Sequence, residues 1–210
     1  MENKKMTVTE ALNALKLMDK KIEKATFSPT FVGAAKEASD KIGHKTKATF
    51  EAEAKAGLQS VIDLIAYRDK VKAAIVLSNA TTTLNVGQNV MTVAEAIEKK
   101  ASIQYKKVLL EELTDQYHNA KKSVDNTNSK VDAQVDKLRE TYVGSAKDAK
   151  LDAEGFAAMS ESYQKQNYFA LVDPCNILSV IEKLQDEIND FESNVNTALV
   201  ISNATTFIEV

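Results

Sequence analysis

The sequence contains the same pair of motifs twice, and a chain built on an internal repeat is misread as a whole if the repeat is missed. The run Ile75-Val76-Leu77-Ser78-Asn79-Ala80-Thr81-Thr82-Thr83-Leu84-Asn85-Val86 returns as Leu199-Val200-Ile201-Ser202-Asn203-Ala204-Thr205-Thr206-Phe207-Ile208-Glu209-Val210. Five residues, Ser-Asn-Ala-Thr-Thr, are identical, and both flanks match in character. A second pair stands in the same order: Met6-Thr7-Val8-Thr9-Glu10-Ala11-Leu12 and Met91-Thr92-Val93-Ala94-Glu95-Ala96-Ile97. Each half thus opens on Met-Thr-Val-x-Glu-Ala and closes on Ser-Asn-Ala-Thr-Thr. The copies are 6–86 and 91–210, so 1–90 reads as a first helical hairpin and 91–210 as a second, longer one, together forming one unit.

The opening motifs are helix starts. Thr7 and Thr92 precede Glu10 and Glu95 by three residues, the spacing at which a Thr hydroxyl and a Glu carboxylate cap each other's backbone N–H groups. The first helix carries Val8, Ala11, Leu12, Leu15, Met18 and Ile22 on one stripe and ends near Lys24. The second runs from about Val93 to Tyr142 without Gly or Pro. Along it Leu110, Tyr117, Val124, Val131 and Leu138 recur every seven residues, with Leu113, Ala120 and Thr127 between them, a coiled-coil seam. The returning helix of the second half begins near Asp173-Pro174 and repeats the pattern in Ile181, Ile188 and Val195 with Leu184, Phe191 and Ala198. In the first half Phe50, Leu58, Val61, Ile62, Ile65 and Ala74 mark a returning helix from about Thr49 to Leu77.

Both returning helices stop at Ser-Asn-Ala-Thr-Thr, where Asn and β-branched Thr oppose further helix, and the tails TTTLNV and TTFIEV read as short strands. After the first tail a Gly87-Gln88-Asn89 turn leads to a second β-prone run, which makes a hairpin feeding the long helix. The last strand has no following partner in sequence. The repeat places its counterpart at Lys4-Lys5-Met6-Thr7-Val8, so the two terminal strands should pair antiparallel, within one subunit or between neighbours. Inserts at 25–48 and 143–173 separate the outgoing and returning helices, the second holding a helix over 156–171. The fold class is therefore mainly α: duplicated helical hairpins with short strand pairs.

Composition narrows function mostly by exclusion. Only six Gly and two Pro interrupt 210 residues, and 44% hydrophobic content supports a real core. The net charge of −3, from 27 basic and 30 acidic residues, gives no global attraction to nucleic acid or to an anionic membrane. No window approaches the roughly 18 apolar residues of a membrane span. Cys175 is alone, which fits a reducing compartment. The N-terminus lacks a secretory pattern, so a cytoplasmic location is expected. No phosphate-binding Gly loop or Cys cluster is present, and His44 and His118 are the only histidines. We therefore expect no enzyme, no metal site and no cofactor. Asp and Glu sit among Lys on helix faces as solvated charge.

Two polar regions are the candidate sites. Ser78, Asn79, Thr81 and Thr82, with Ser202, Asn203, Thr205 and Thr206, place hydroxyls, amides and backbone N–H groups at helix-to-strand corners. They either shape those corners or line a pseudo-symmetric pocket for a small polar ligand. The 41–47 loop gathers Lys41, His44, Lys45 and Lys47 around Gly43, an arrangement that can hold an anion or remain solvated. Tyr105, Tyr117, Tyr142, Tyr163 and Tyr168 fall mostly on helical spacing and read as core or seam.

The stretch Ile75 to Ile97 runs helix, Ser-Asn-Ala-Thr-Thr, strand, Gly and then Met-Thr-x-x-Glu-Ala opening a helix. It resembles the septicolysin-like family of small bacterial and prophage-associated helical proteins, with a weaker likeness over residues 6–24. The resemblance implies a helical architecture and a bacterial or phage origin, while the long helix and its insert depart from it. The reading that follows is a non-enzymatic, oligomeric binding protein that sequesters a small anionic or nucleotide-like ligand, in the cytoplasm or in the host cytoplasm if phage-encoded. One alternative is a structural component of a phage virion or other assembly. The other is a pore-forming protein, on the family name and the amphipathic helices.

Overall fold

A computed structural model describes residues 5–144 and 153–210. Lys4, assigned above to a strand, and residues 145–152 of the second insert lie outside the described residues. The chain is mainly helical, in the order β1 (Lys5–Thr7), α1 (Val8–Phe27), β2 (Lys41–Ile42), β3 (Lys45–Thr46), α2 (Lys47–Thr81), β4 (Thr83–Val86), β5 (Asn89–Thr92), α3 (Val93–Gly144), α4 (Ala153–Asn167), α5 (Ile177–Thr205) and β6 (Phe207–Glu209). Among the described residues the strands form three antiparallel pairs, β1–β6, β2–β3 and β4–β5. The terminal pair expected from the repeat is therefore present, within one chain.

Helix starts follow local chemistry. The Thr7 hydroxyl accepts from the Glu10 N–H at 3.2 Å, and the Glu10 carboxylate accepts from the Thr7 N–H at 2.7 Å. Such a box satisfies two donors that a helix start leaves unpaired. At α2 the Thr46 hydroxyl accepts from the Thr49 N–H at 3.2 Å. α5 begins at Ile177 rather than beside Asp173-Pro174, because Asn176 turns the chain at φ 52 and the Asp173 carboxylate caps the Ile177 N–H at 2.8 Å.

The chain forms two compact units, Met1–Ala101 with Asp190–Val210, and Ser102–Asn189. The division runs through α3 and α5 rather than between residues 90 and 91, since β6 pairs with β1 and joins the end of the sequence to its start. In the first unit α1 lies along α2. Met6 and Ile208, from the paired terminal strands, share one core with Val8, Ala11, Leu15, Met18, Val71 and Ile75. Arg68 Nε donates to Asp19 at 2.6 Å, a further tie between the two helices.

In the second unit Ile103, Val131 and Val135 of α3 are buried, and Leu110, Leu113, Tyr117, Val124, Thr127 and Leu138 are half-buried. Ala120 of the expected seam is exposed. Ile181 and Leu184 are half-buried on α5 and Ile188 is buried. Lys106 pairs with Glu187, and Asn128 exchanges two hydrogen bonds with the backbone of Phe169, at 2.8 and 3.0 Å. The Arg139 guanidinium lies 5.5 Å from the centre of the Phe156 ring.

Several expectations need correction. Both returning helices continue through Ser-Asn-Ala-Thr and end at Thr81 and Thr205, so these residues form a last helical turn rather than a loop. On α2 the buried stripe is Val61, Val71 and Ile75, whereas Leu58, Ile62 and Ile65 are 49%, 49% and 42% exposed. Tyr105 and Tyr168 are exposed; Tyr117 and Tyr163 are half-buried, and the side chain of Tyr142 lies outside the described residues. The basic loop closes as the two-residue strands β2 and β3.

Candidate functional site

Each corner is made by one helix end, two strands and one helix start. In the first, α2 ends where the Thr82 N–H donates to the Ser78 carbonyl at 2.8 Å. β4 then pairs with β5 in the register Thr83↔Thr92, Leu84↔Met91, Asn85↔Val90. The Val93 N–H donates to the Thr82 carbonyl at 2.9 Å, and α3 starts under its capping box. In the second, the Thr206 N–H donates to Ser202 at 2.9 Å, β6 pairs with β1 as Phe207↔Thr7, Ile208↔Met6, Glu209↔Lys5, and the Val8 N–H donates to Thr206 at 3.0 Å. The inward positions agree: Leu84 and Ile208 are buried, as are Val93 and Val8, and Ala96 and Ala11.

The candidate residues divide by what their side chains already do. The Thr81 and Thr205 hydroxyls donate back to the carbonyls of Leu77 and Ile201, at 3.0 and 2.9 Å. These two are engaged by their own helices, so they do not offer free hydroxyls to a pocket. Ser78 Oγ stands 3.4 Å from Thr82 Oγ1, and Ser202 is buried. Asn79 and Asn203 are half-buried, and their amides make no hydrogen bond to any described residue. The Thr206 hydroxyl likewise has no partner among the described residues, so Asn79, Asn203 and Thr206 are the corner residues left to meet a ligand.

The basic region belongs elsewhere. Ser78 lies thirty-one steps along α2 from Lys47, about 46 Å of helix at 1.5 Å per residue. No small ligand spans that distance, so the first corner and the 41–47 segment cannot act as one site. Two of its cations are also occupied: Lys45 pairs with Glu53, and Lys47 Nζ donates to the carbonyls of Lys36 and Glu37 at 3.2 and 3.1 Å. His44 is exposed.

The sequence reading missed a cleft beside that hairpin. It has a volume of about 600 Å³, with Pro29, Ile42 and Phe50 among its apolar walls and His44, Lys45 and Glu53 at its polar edge. The one signal available was Gly33, where a Cβ would stand 2.4 Å from Ile42 Cδ1. A side chain there would have to push the Ile42 terminal methyl aside, with the Phe50 ring 3.2 Å away.

Electrostatics at the first corner are local. The Thr92 backbone N–H and hydroxyl hold the Glu95 carboxyl below the ordinary glutamate range. Among the described residues no three His, Cys, Asp or Glu side chains converge as metal ligands do. No described helix is long and apolar enough to cross a membrane. The corners offer neutral hydrogen-bonding groups beside helix ends, suited to recognising polar edges. Neither a family model, nor a curated protein, nor a solved structure matches this chain.

Proposed function

We propose that this chain is a non-enzymatic, oligomeric binding protein of bacterial or phage type. It sequesters a small polar ligand, anionic or nucleotide-like, at two equivalent helix–strand corners that arose by internal duplication. The observation carrying the reading is the pair Asn79 and Asn203: matched, half-buried positions whose amides have no intrachain partner among the described residues. An amide open to solvent and without an intrachain partner keeps its donors and its acceptor free for a ligand. The 41–47 cations stand outside this reading, because the length of α2 removes them from the first corner. The rival role in a virion or other assembly draws on exposed apolar residues at matched positions, Val76 with Val200 and Leu77 with Ile201.

Isothermal titration of purified protein against a panel of mono-, di- and cyclic nucleotides tests the proposal. A binder should load about two molecules per chain, and Asn79→Ala or Asn203→Ala should each weaken one site about tenfold or more. Melting of the same variants separates ligand loss from corner damage. If both alanine variants bind every ligand as the wild type does, the corners are architecture only.

A further inference from the structure

The apolar surface of α2 is wider than the part that is covered. Val71 and Ile75 pack in the core of the first unit, while Leu58, Ile62 and Ile65 form a second stripe open to solvent, with the buried Val61 at its edge. These positions continue along the helix at alternating spacings of three and four residues. Toward the N-terminus the line reaches Lys55 and Glu51, and toward the C-terminus Asp69 and Lys72, all exposed. Such spacing keeps every one of them on a single face.

The order of charges along this line is self-complementary. We infer that the outer face of α2 is an interface with a second copy of this chain, the two helices packing antiparallel about a two-fold axis beside Ile62. Ile62 then meets its own symmetry mate, and Leu58 meets Ile65. Lys55 faces Asp69 of the other copy, and Glu51 faces Lys72. Each contact occurs twice, as an isologous interface requires. A parallel pairing in register sets Glu51, Lys55, Asp69 and Lys72 each against itself, four like-charge contacts that disfavour it. Among the described residues Asp69 has one ion pair, 3.7 Å from Arg68, whose closer partner is Asp19. Its carboxylate remains available. An apolar centre flanked by complementary charge is how a helix face specifies both partner and direction.

The inference deepens the oligomeric part of the proposed function and is independent of ligand binding at the corners, so the Asn79 and Asn203 titrations and the experiment here fail separately. Sedimentation equilibrium of the full chain should give a mass built from pairs of the 23.0 kDa subunit. Ile62→Asp should weaken self-association at least tenfold, and Lys55→Glu should weaken it less. Lys55→Glu combined with Asp69→Lys should recover much of the loss, a rescue that mere unfolding cannot produce. Ile62→Cys in a Cys175→Ser background should form a disulfide-linked dimer under mild oxidation. A wild-type monomer at about 100 μM overturns the inference. So does association unchanged by Ile62→Asp, or an Ile62→Cys variant that stays unlinked.

Discussion

The two corners share register, helix-end hydrogen bonds and inward residues, yet only one of them has a turn. β4 and β5 are joined by Gly87 and Gln88, whereas β6 and β1 come from opposite ends of the sequence. That the strands meet identically in both cases locates the cause of pairing outside the turn. It lies in the flanking helices. Each strand leaves or enters a helix whose end is fixed by the same contact, Thr82 to Ser78 or Thr206 to Ser202, and by a Thr–Glu box. Leu84 and Ile208 are then buried as the strands meet. The turn at Gly87 follows from this placement and does not create it.

Removing a strand should have the largest effect. Deleting residues 205–210 takes Ile208 out of the core it shares with Val71 and Ile75 and leaves β1 unpaired. The expected loss is about 3–5 kcal/mol, the scale of removing a large buried side chain, read by chemical denaturation. An unchanged midpoint would break the comparison at its open corner. Gly87→Ala probes the closed corner with a smaller effect. Gly87 sits at φ 58, and a Cβ there would approach Asp190 Oδ2 to 2.0 Å. A loss of about 1–3 kcal/mol is expected, combining backbone strain with displacement of Asp190.

Much of this was legible because it is local. A Thr three residues before a Glu specifies a capped helix start wherever it occurs, and the repeat of Met6–Leu12 at Met91–Ile97 extends that inference from one corner to the other. The terminal strand pair followed from the same repetition. The helix ends lie beyond the point at which Asn and Thr, as poor helix formers, would stop them. In place, Thr81 and Thr205 turn their hydroxyls onto their own helices, and each helix runs through the first four residues of the motif. The packing face of α2 was misread for another reason. A helix with Val71 and Ile75 on one side, Leu58 and Ile62 on another and Val61 between them has no single narrow apolar stripe, so periodicity cannot say which side meets α1. The cleft near Phe50 depends on a strap folding back over 28–34, which no local pattern announces. Nor could sequence show that Lys45 and Lys47 were already engaged, or that the length of α2 separates them from the first corner.

The smallest predicted effects sharpen the equivalence. Thr7→Ala and Thr92→Ala should each cost about 1 kcal/mol, because each removes one hydroxyl cap in the same geometry. Costs that differ severalfold would show that the boxes resemble each other only in outline. Glu95 adds a pH signature. Its lowered folded-state pKa gives stability that is present above the unfolded value and is lost as pH falls through the folded one. Acid melts of Glu95→Gln should therefore converge with those of the wild type toward low pH and separate above it.

The central claim, that the β1–β6 corner is a hairpin lacking only its turn, is tested most directly by moving the break. A circular permutant would open the chain between Gly87 and Gln88 and join Val210 to Lys4 through Gly-Gln, the length of the natural turn. Its circular dichroism and thermal melt are the measurement. The account predicts the same helical signal and a melting temperature within about 5 °C of the wild type, a shift on the order of 1 kcal/mol. A permutant that fails to fold, or folds only by exchanging strands between chains, would contradict it.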